Sequence, residues 1–159
     1  MRKVTYGLII LFALLMQSTL LIYYRPLGVI PDLLMILVIC GAILKGSKFG
    51  AKLGLVVGLL HDLTIGGFGT MIIIKVFIGY LVGTLERKVF KKQLVVPILV
   101  VFVMTFFHEF IFLLLTEHLI FSIPPLWAVK TKILPLAIIN VIFTIPIYIS
   151  LYLVEKRLR

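Results

Sequence analysis

The chain has 159 residues, of which 62% are hydrophobic and only 14% charged, with a mean hydropathy of +1.25. Soluble domains carry about 25% charged residues, so this composition excludes one and predicts an integral membrane protein with a single lipid-embedded domain over residues 1–159. The formal charge of +10 suits cytoplasmic loops of a membrane protein better than a nucleic-acid surface, and the lone Cys40 rules out an intramolecular disulfide.

In chain order, Met1-Arg2-Lys3 precedes an apolar run, and the first predicted span covers residues 4–24. It lacks a small-x-small cleavage site, which favours an uncleaved helix ending in the interfacial pair Tyr23 and Tyr24. A turn from Pro26 to Pro31 leads to a second span, 29–44, with Pro31 expected in its first turn and Asp32 against the helix dipole. The third span, 49–63, carries Lys52, so a re-entrant segment is the alternative to a crossing. The fourth, 70–85, contains Lys75. The basic stretch Glu86-Arg87-Lys88 to Lys91-Lys92 separates it from the fifth, 94–116, with His108 and Glu109. A long loop with Pro124-Pro125, Trp127 and an LWAVKTKI segment suited to the interface leads to the last span, 133–154. With six spans and the N-terminus inside, Arg2, Lys3, Lys45, Lys48, Lys52, Arg87, Lys88, Lys91, Lys92, Lys156, Arg157 and Arg159 lie on the inner side. Only Arg25, Lys130 and Lys132 lie outside. That asymmetry favours six crossings with both termini inside, Lys52 snorkelling to the inner surface.

The densest pattern lies between residues 45 and 83. Gly50, Gly54 and Gly58 recur every fourth residue, and Gly79 and Gly83 repeat the spacing. Glycine costs about 1 kcal/mol in a soluble helix, but in lipid such a stripe lets backbones touch. Between the stripes, His61-Asp62-Leu63 precedes a shaped corner at Gly66, Gly67 and Gly69.

Charged or strongly polar residues inside spans are functional candidates by default. Gln17, Lys75, Glu109 and Asn140 fall at similar depth in the outer half, with Asp32 and Asp62 at the outer mouth. Thr105, Glu109 and Thr116 share a helix side, as do Asn140 and Thr144. Lys75 is expected to pair with Asp62 across the corner or with Glu109. Three uses remain open for this group: a structural network, a contact for a partner helix, or a small-ligand pocket with a mouth on the outer side. His61, His108 and His118 show no metal-ligand spacing. No nucleophile elbow or phosphate loop is present, and His108-Glu109 are adjacent, about 100° apart around a helix, so no catalytic, cofactor or metal residues are assigned.

From Pro31-Asp32-Leu33-Leu34 through Leu44-Lys45-Gly46, Leu60-His61-Asp62-Leu63, Gly66-Gly67-Phe68-Gly69, Lys75, Gly79-Tyr80-Leu81-Val82-Gly83 and Arg87, the chain resembles the MreD family of bacterial rod shape-determining proteins. The likeness is specific over residues 29–92. It implies a non-enzymatic, multi-pass protein of the bacterial cytoplasmic membrane that binds MreC. Through MreC it would join the cell-wall elongation complex with MreB and the peptidoglycan synthases. It implies no cofactor and no nucleic-acid partner, and it leaves membrane lipid as the bearer of the basic loops. The family is similar in fold to the substrate-binding subunits of energy-coupling-factor vitamin transporters, which supplies the alternative function. Against that alternative, Gly7 and Ala13 are six apart, which breaks the small-residue docking stripe of such subunits, and few aromatic residues neighbour the polar group. Their common depth in the spans marks Asp32, Asp62, Lys75, Glu109 and Asn140 as expected polar-core or partner-contact residues.

Overall fold

The computed structural model describes residues 2–85, 93–116 and 129–157, with side chains for 5–85, 93–112 and 129–157. All regular structure among them is helical: α1 (Arg2–Ser18), α2 (Leu20–Tyr24), α3 (Leu33–Lys45), α4 (Ser47–Ile65), α5 (Thr70–Gly83), α6 (Val95–Thr116) and α7 (Leu134–Arg157). A 3₁₀ turn (Pro26–Gly28) follows α2, and a π-helical turn (Val129–Ile133) leads into α7. The basic stretch 86–92, the 117–128 loop with His118, Pro124, Pro125 and Trp127, and Arg159 lie outside the described residues.

Three segments are long and apolar enough to cross a membrane: Thr5–Tyr24, Val95–Phe112 and Val129–Arg157. The apolar helices α3 and α5 are shorter, and α4 carries Lys48, Lys52 and Asp62. α4 is nonetheless one unbroken helix of 19 residues, about 28 Å long at 1.5 Å per residue.

Burial explains how a 13-residue α3 is accommodated. Every residue from Leu33 to Leu44 is buried, and α1, α4, α5, α6 and α7 all pack on it. α3 is therefore a central pillar, and its polar ends meet protein rather than lipid. It begins at Leu33, four residues after the expected 29, because Asp32 is its N-cap and accepts a hydrogen bond from the Met35 N–H at 2.8 Å. Pro31 consequently precedes the cap instead of entering the first turn. The first predicted span is one apolar segment, Thr5–Tyr24, with a local turn at Thr19 between α1 and α2. There the Thr19 hydroxyl joins its own N–H in bonding back to the Leu15 carbonyl, a contact that bends helices.

α4 and α5 pack antiparallel along their glycines. A Cβ added at Gly50 would strike the Gly79 carbonyl, and one at Gly79 would strike the Gly50 carbonyl. Gly54 faces the Lys75 carbonyl, Gly58 lies over the Ile72 Cα, and Gly83 lies on the backbone of Ser47. The corner between them needs glycine for two distinct reasons. Gly66 (φ +70°) and Gly69 (φ +92°) are left-handed, whereas Gly67 has no room for a Cβ because an Asp62 carboxylate oxygen fills that space.

Candidate functional site

A helix that begins inside a membrane protein exposes N–H groups that no water can satisfy. At the start of α3, three side chains meet this need. Asn140 Oδ1, on α7, accepts from the Asp32 N–H at 3.1 Å; Gln17 Oε1, on α1, accepts from the Leu34 N–H at 3.2 Å; Asp32 itself takes the Met35 N–H. Asn140 Nδ2 then donates to Thr105 Oγ1 at 3.1 Å, which joins α7 to α6.

The second Asp32 oxygen receives Lys75 Nζ, from α5, at 2.5 Å. Lys75 has no exposed surface. The expected pairing of Lys75 with Asp62 or Glu109 is thus corrected: its partner is Asp32. Asp62 is already committed, since its two oxygens accept the Met71 and Ile72 N–H groups at 3.2 and 3.0 Å. A carboxylate at a helix N-terminus offsets the dipole as well as two orphan donors, so Asp62 caps α5 from across the corner.

Glu109 finds its cation elsewhere. Lys132, in the π turn, places Nζ 3.0 Å from Glu109 Oε2. His108 is buried between the two carboxylates, with Nδ1 3.4 Å from Glu109 Oε1 and Nε2 3.7 Å from Asp32 Oδ2. His108 and Glu109 therefore do converge, although neighbouring positions on a helix diverge. Phe112 stacks on the His108 ring at 6.4 Å, an aromatic neighbour that the sequence reading did not place there.

Two of these contacts escaped the sequence. Lys132 falls in a loop by sequence, yet a signal exists: Lys75 can neutralise only one of the two carboxylates Asp32 and Glu109, so the other needs a second cation. The second is a cluster at the other end of α3. There Lys45 Nζ lies 3.2 Å from Glu155 Oε2 and over the rings of Tyr6 (4.5 Å) and Phe49 (4.4 Å). This ties α1, α3, α4 and α7, and no short motif marks it.

A cavity of about 220 Å³ opens beside the network, lined by Gln17, Asp32, His61, His108, Glu109 and apolar side chains including Met71. A separate apolar groove of about 450 Å³ lies between α1, α3 and α7, lined among others by Phe12, Met16, Leu37, Phe143 and Ile147. The glycine faces of α4 and α5 line neither, because they are consumed against each other. Among the described residues no three histidine, cysteine or acidic side chains are placed to hold a metal ion.

These features define a helical membrane protein in which buried ionic and amide groups tie the helices to one another. The chain matches the family described as rod shape-determining protein MreD over residues 1–157, and it belongs to that family. No curated protein and no solved structure matches it. It is accordingly a rod shape-determining membrane protein.

Proposed function

We propose that the chain is a non-enzymatic, six-span scaffold of the bacterial cytoplasmic membrane that holds MreC within the cell-wall elongation complex. Membership of the family over residues 1–157 carries this reading. The basic residues support the topology: with both termini inside, Lys45, Lys48 and Lys52 face the cytoplasm, and the polar network lies in the outer half. A scaffold needs a fixed shape more than a reactive group, and the Asp32–Lys75 pair with its Asn140 and Gln17 braces supplies one. The apolar groove between α1, α3 and α7 offers a seat for the MreC transmembrane helix. The basic inner loops are attracted to anionic lipid at roughly 1 kcal/mol per charge.

Detergent co-purification of the tagged chain with the host's MreC, with mass spectrometry for bound small molecules, tests this. Stable recovery of MreC is expected, together with its loss on Phe12→Trp and Ile147→Trp, which fill the groove. The cavity beside His61 and His108 favours a second reading, a substrate-binding subunit of an energy-coupling-factor transporter. Recovery of a stoichiometric vitamin with transporter ATPase subunits and no MreC would establish that reading and overturn the first.

A further inference from the structure

The cavity beside the polar network and the surface next to it form one cleft. A shallower hollow of about 550 Å³ is lined by Arg25, Gly28, Lys132 and others, and it shares Ile30, Glu109 and Leu136 with the cavity. The cleft thus has a basic mouth and a hydrogen-bonding floor.

The floor has two vacant functions. Gln17 Oε1 accepts the Leu34 N–H, so Gln17 Nε2 is a donor toward His61 Nε2 at 3.4 Å. The His61 proton then resides on Nδ1, which is buried with no hydrogen-bond partner. On His108, Nδ1 faces the Glu109 carboxylate at 3.4 Å, and the other ring nitrogen is Nε2. It too is buried without a hydrogen bond, 3.7 Å from the Asp32 carboxylate. Unmade hydrogen bonds of this kind are costly in a low dielectric. Two buried ring nitrogens without hydrogen bonds, one on His61 and one on His108, are what a hydroxylated group satisfies, because a hydroxyl both donates and accepts.

The mouth selects charge. Asp32 is neutralised by Lys75 and Glu109 by Lys132. Arg25 spends only Nε, on the Ile22 carbonyl at 3.1 Å, which leaves its terminal nitrogens without a partner among the described residues. Arg25 (φ +35°) and Leu27 (φ +53°) are both left-handed non-glycine residues, and such strain persists where surrounding structure imposes it. The charged groups around the cleft therefore sum to one excess positive charge at its rim.

We propose that this cleft binds a phosphate ester with a hydroxylated head, the phosphate at Arg25 and Lys132 and the hydroxyl groups at His61 and His108. A lipid head group and a soluble phosphate ester share that chemistry. The site lies apart from the groove offered to MreC, so the two can fail independently.

The test uses the purified full-length chain in detergent, titrated separately with dihexanoyl phosphatidylglycerol, dihexanoyl phosphatidylcholine and sn-glycerol 3-phosphate. Melting temperature and native mass spectra are read together. Phosphatidylglycerol is expected to raise the melting temperature and form a one-to-one adduct, with phosphatidylcholine binding weakly. Arg25→Gln should weaken binding about tenfold, the usual scale for one charge-assisted hydrogen bond. His61→Phe and the cavity-filling Ile30→Trp should abolish it without loss of folded protein, whereas Phe12→Leu in the groove should not alter it. Binding of glycerol phosphate as tight as that of the lipid would assign the site to a soluble ester. Equal retention of both lipids regardless of Arg25, or binding of none of the three probes, would overturn the proposal. MreC recovery in the same variants separates this result from the scaffold reading.

Discussion

The α4–α5 pair and the α1–α7 side of the bundle solve the same problem in opposite ways. Between α4 and α5 the contact is backbone on backbone, with glycine at Gly50, Gly54, Gly58, Gly79 and Gly83. Between α1 and α7 the gap is filled incompletely by large side chains, and a groove remains over Leu33 and Leu37 of α3. In lipid no hydrophobic force draws helices together, so close fit must do so. The first region has nothing left to adjust, whereas flexible side chains let the second absorb change.

The largest effect should come from breaking the tight region. Gly54→Val or Gly79→Val sets a side chain against a carbonyl that neither helix can move, and we expect no monodisperse protein by size-exclusion chromatography. Next is Lys75→Met, which leaves Asp32 buried and unpaired at a cost of about 3–5 kcal/mol. The double change Asp32→Asn with Lys75→Met should recover most of that in melting experiments. A double variant as unstable as the single one would show that the pair is not what holds α5 to α3. Asp62→Ala removes the cap of α5 and should cost about 1–2 kcal/mol. Lys132 has a half-exposed side chain (53%), so Lys132→Met should cost about 1 kcal/mol or less after solvent screening. Smallest of all, Phe12→Leu in the groove should stay within about 0.5 kcal/mol. A groove variant that destabilised as much as Lys75→Met would erase the distinction between the two regions.

Those polar variants also connect stability to cell shape. If Lys75→Met abolishes rod morphology while the compensated double variant restores it, the buried pair acts through shape alone. Rescue of melting temperature without rescue of rods would place Asp32 or Lys75 in contact with the partner.

Much of this organisation was legible beforehand because it is written in local patterns. The apolar runs mark helices, the four-residue glycine spacing marks a contact face, and the Gly66-Gly67-Phe68-Gly69 stretch marks a corner. Each reflects physics within one or two turns of chain: burial of apolar surface, absence of a Cβ, or a positive φ. The polar residues in spans were also identifiable one by one, since each is too costly in lipid to be incidental.

Their partners were decided only by the tertiary structure. Asp62 lies near Lys75 in sequence but is spent on backbone N–H groups of α5. Asp32 is 43 residues from Lys75 and receives its ammonium group. Lys132 returns from beyond the described end of α6 to neutralise Glu109. Helix rotation and packing set these distances, and a carboxylate is satisfied by whichever donor the packing brings to it. Sequence alone determined that buried charges exist and must be neutralised; which groups meet, and the cleft they leave beside them, followed from how the helices pack around α3.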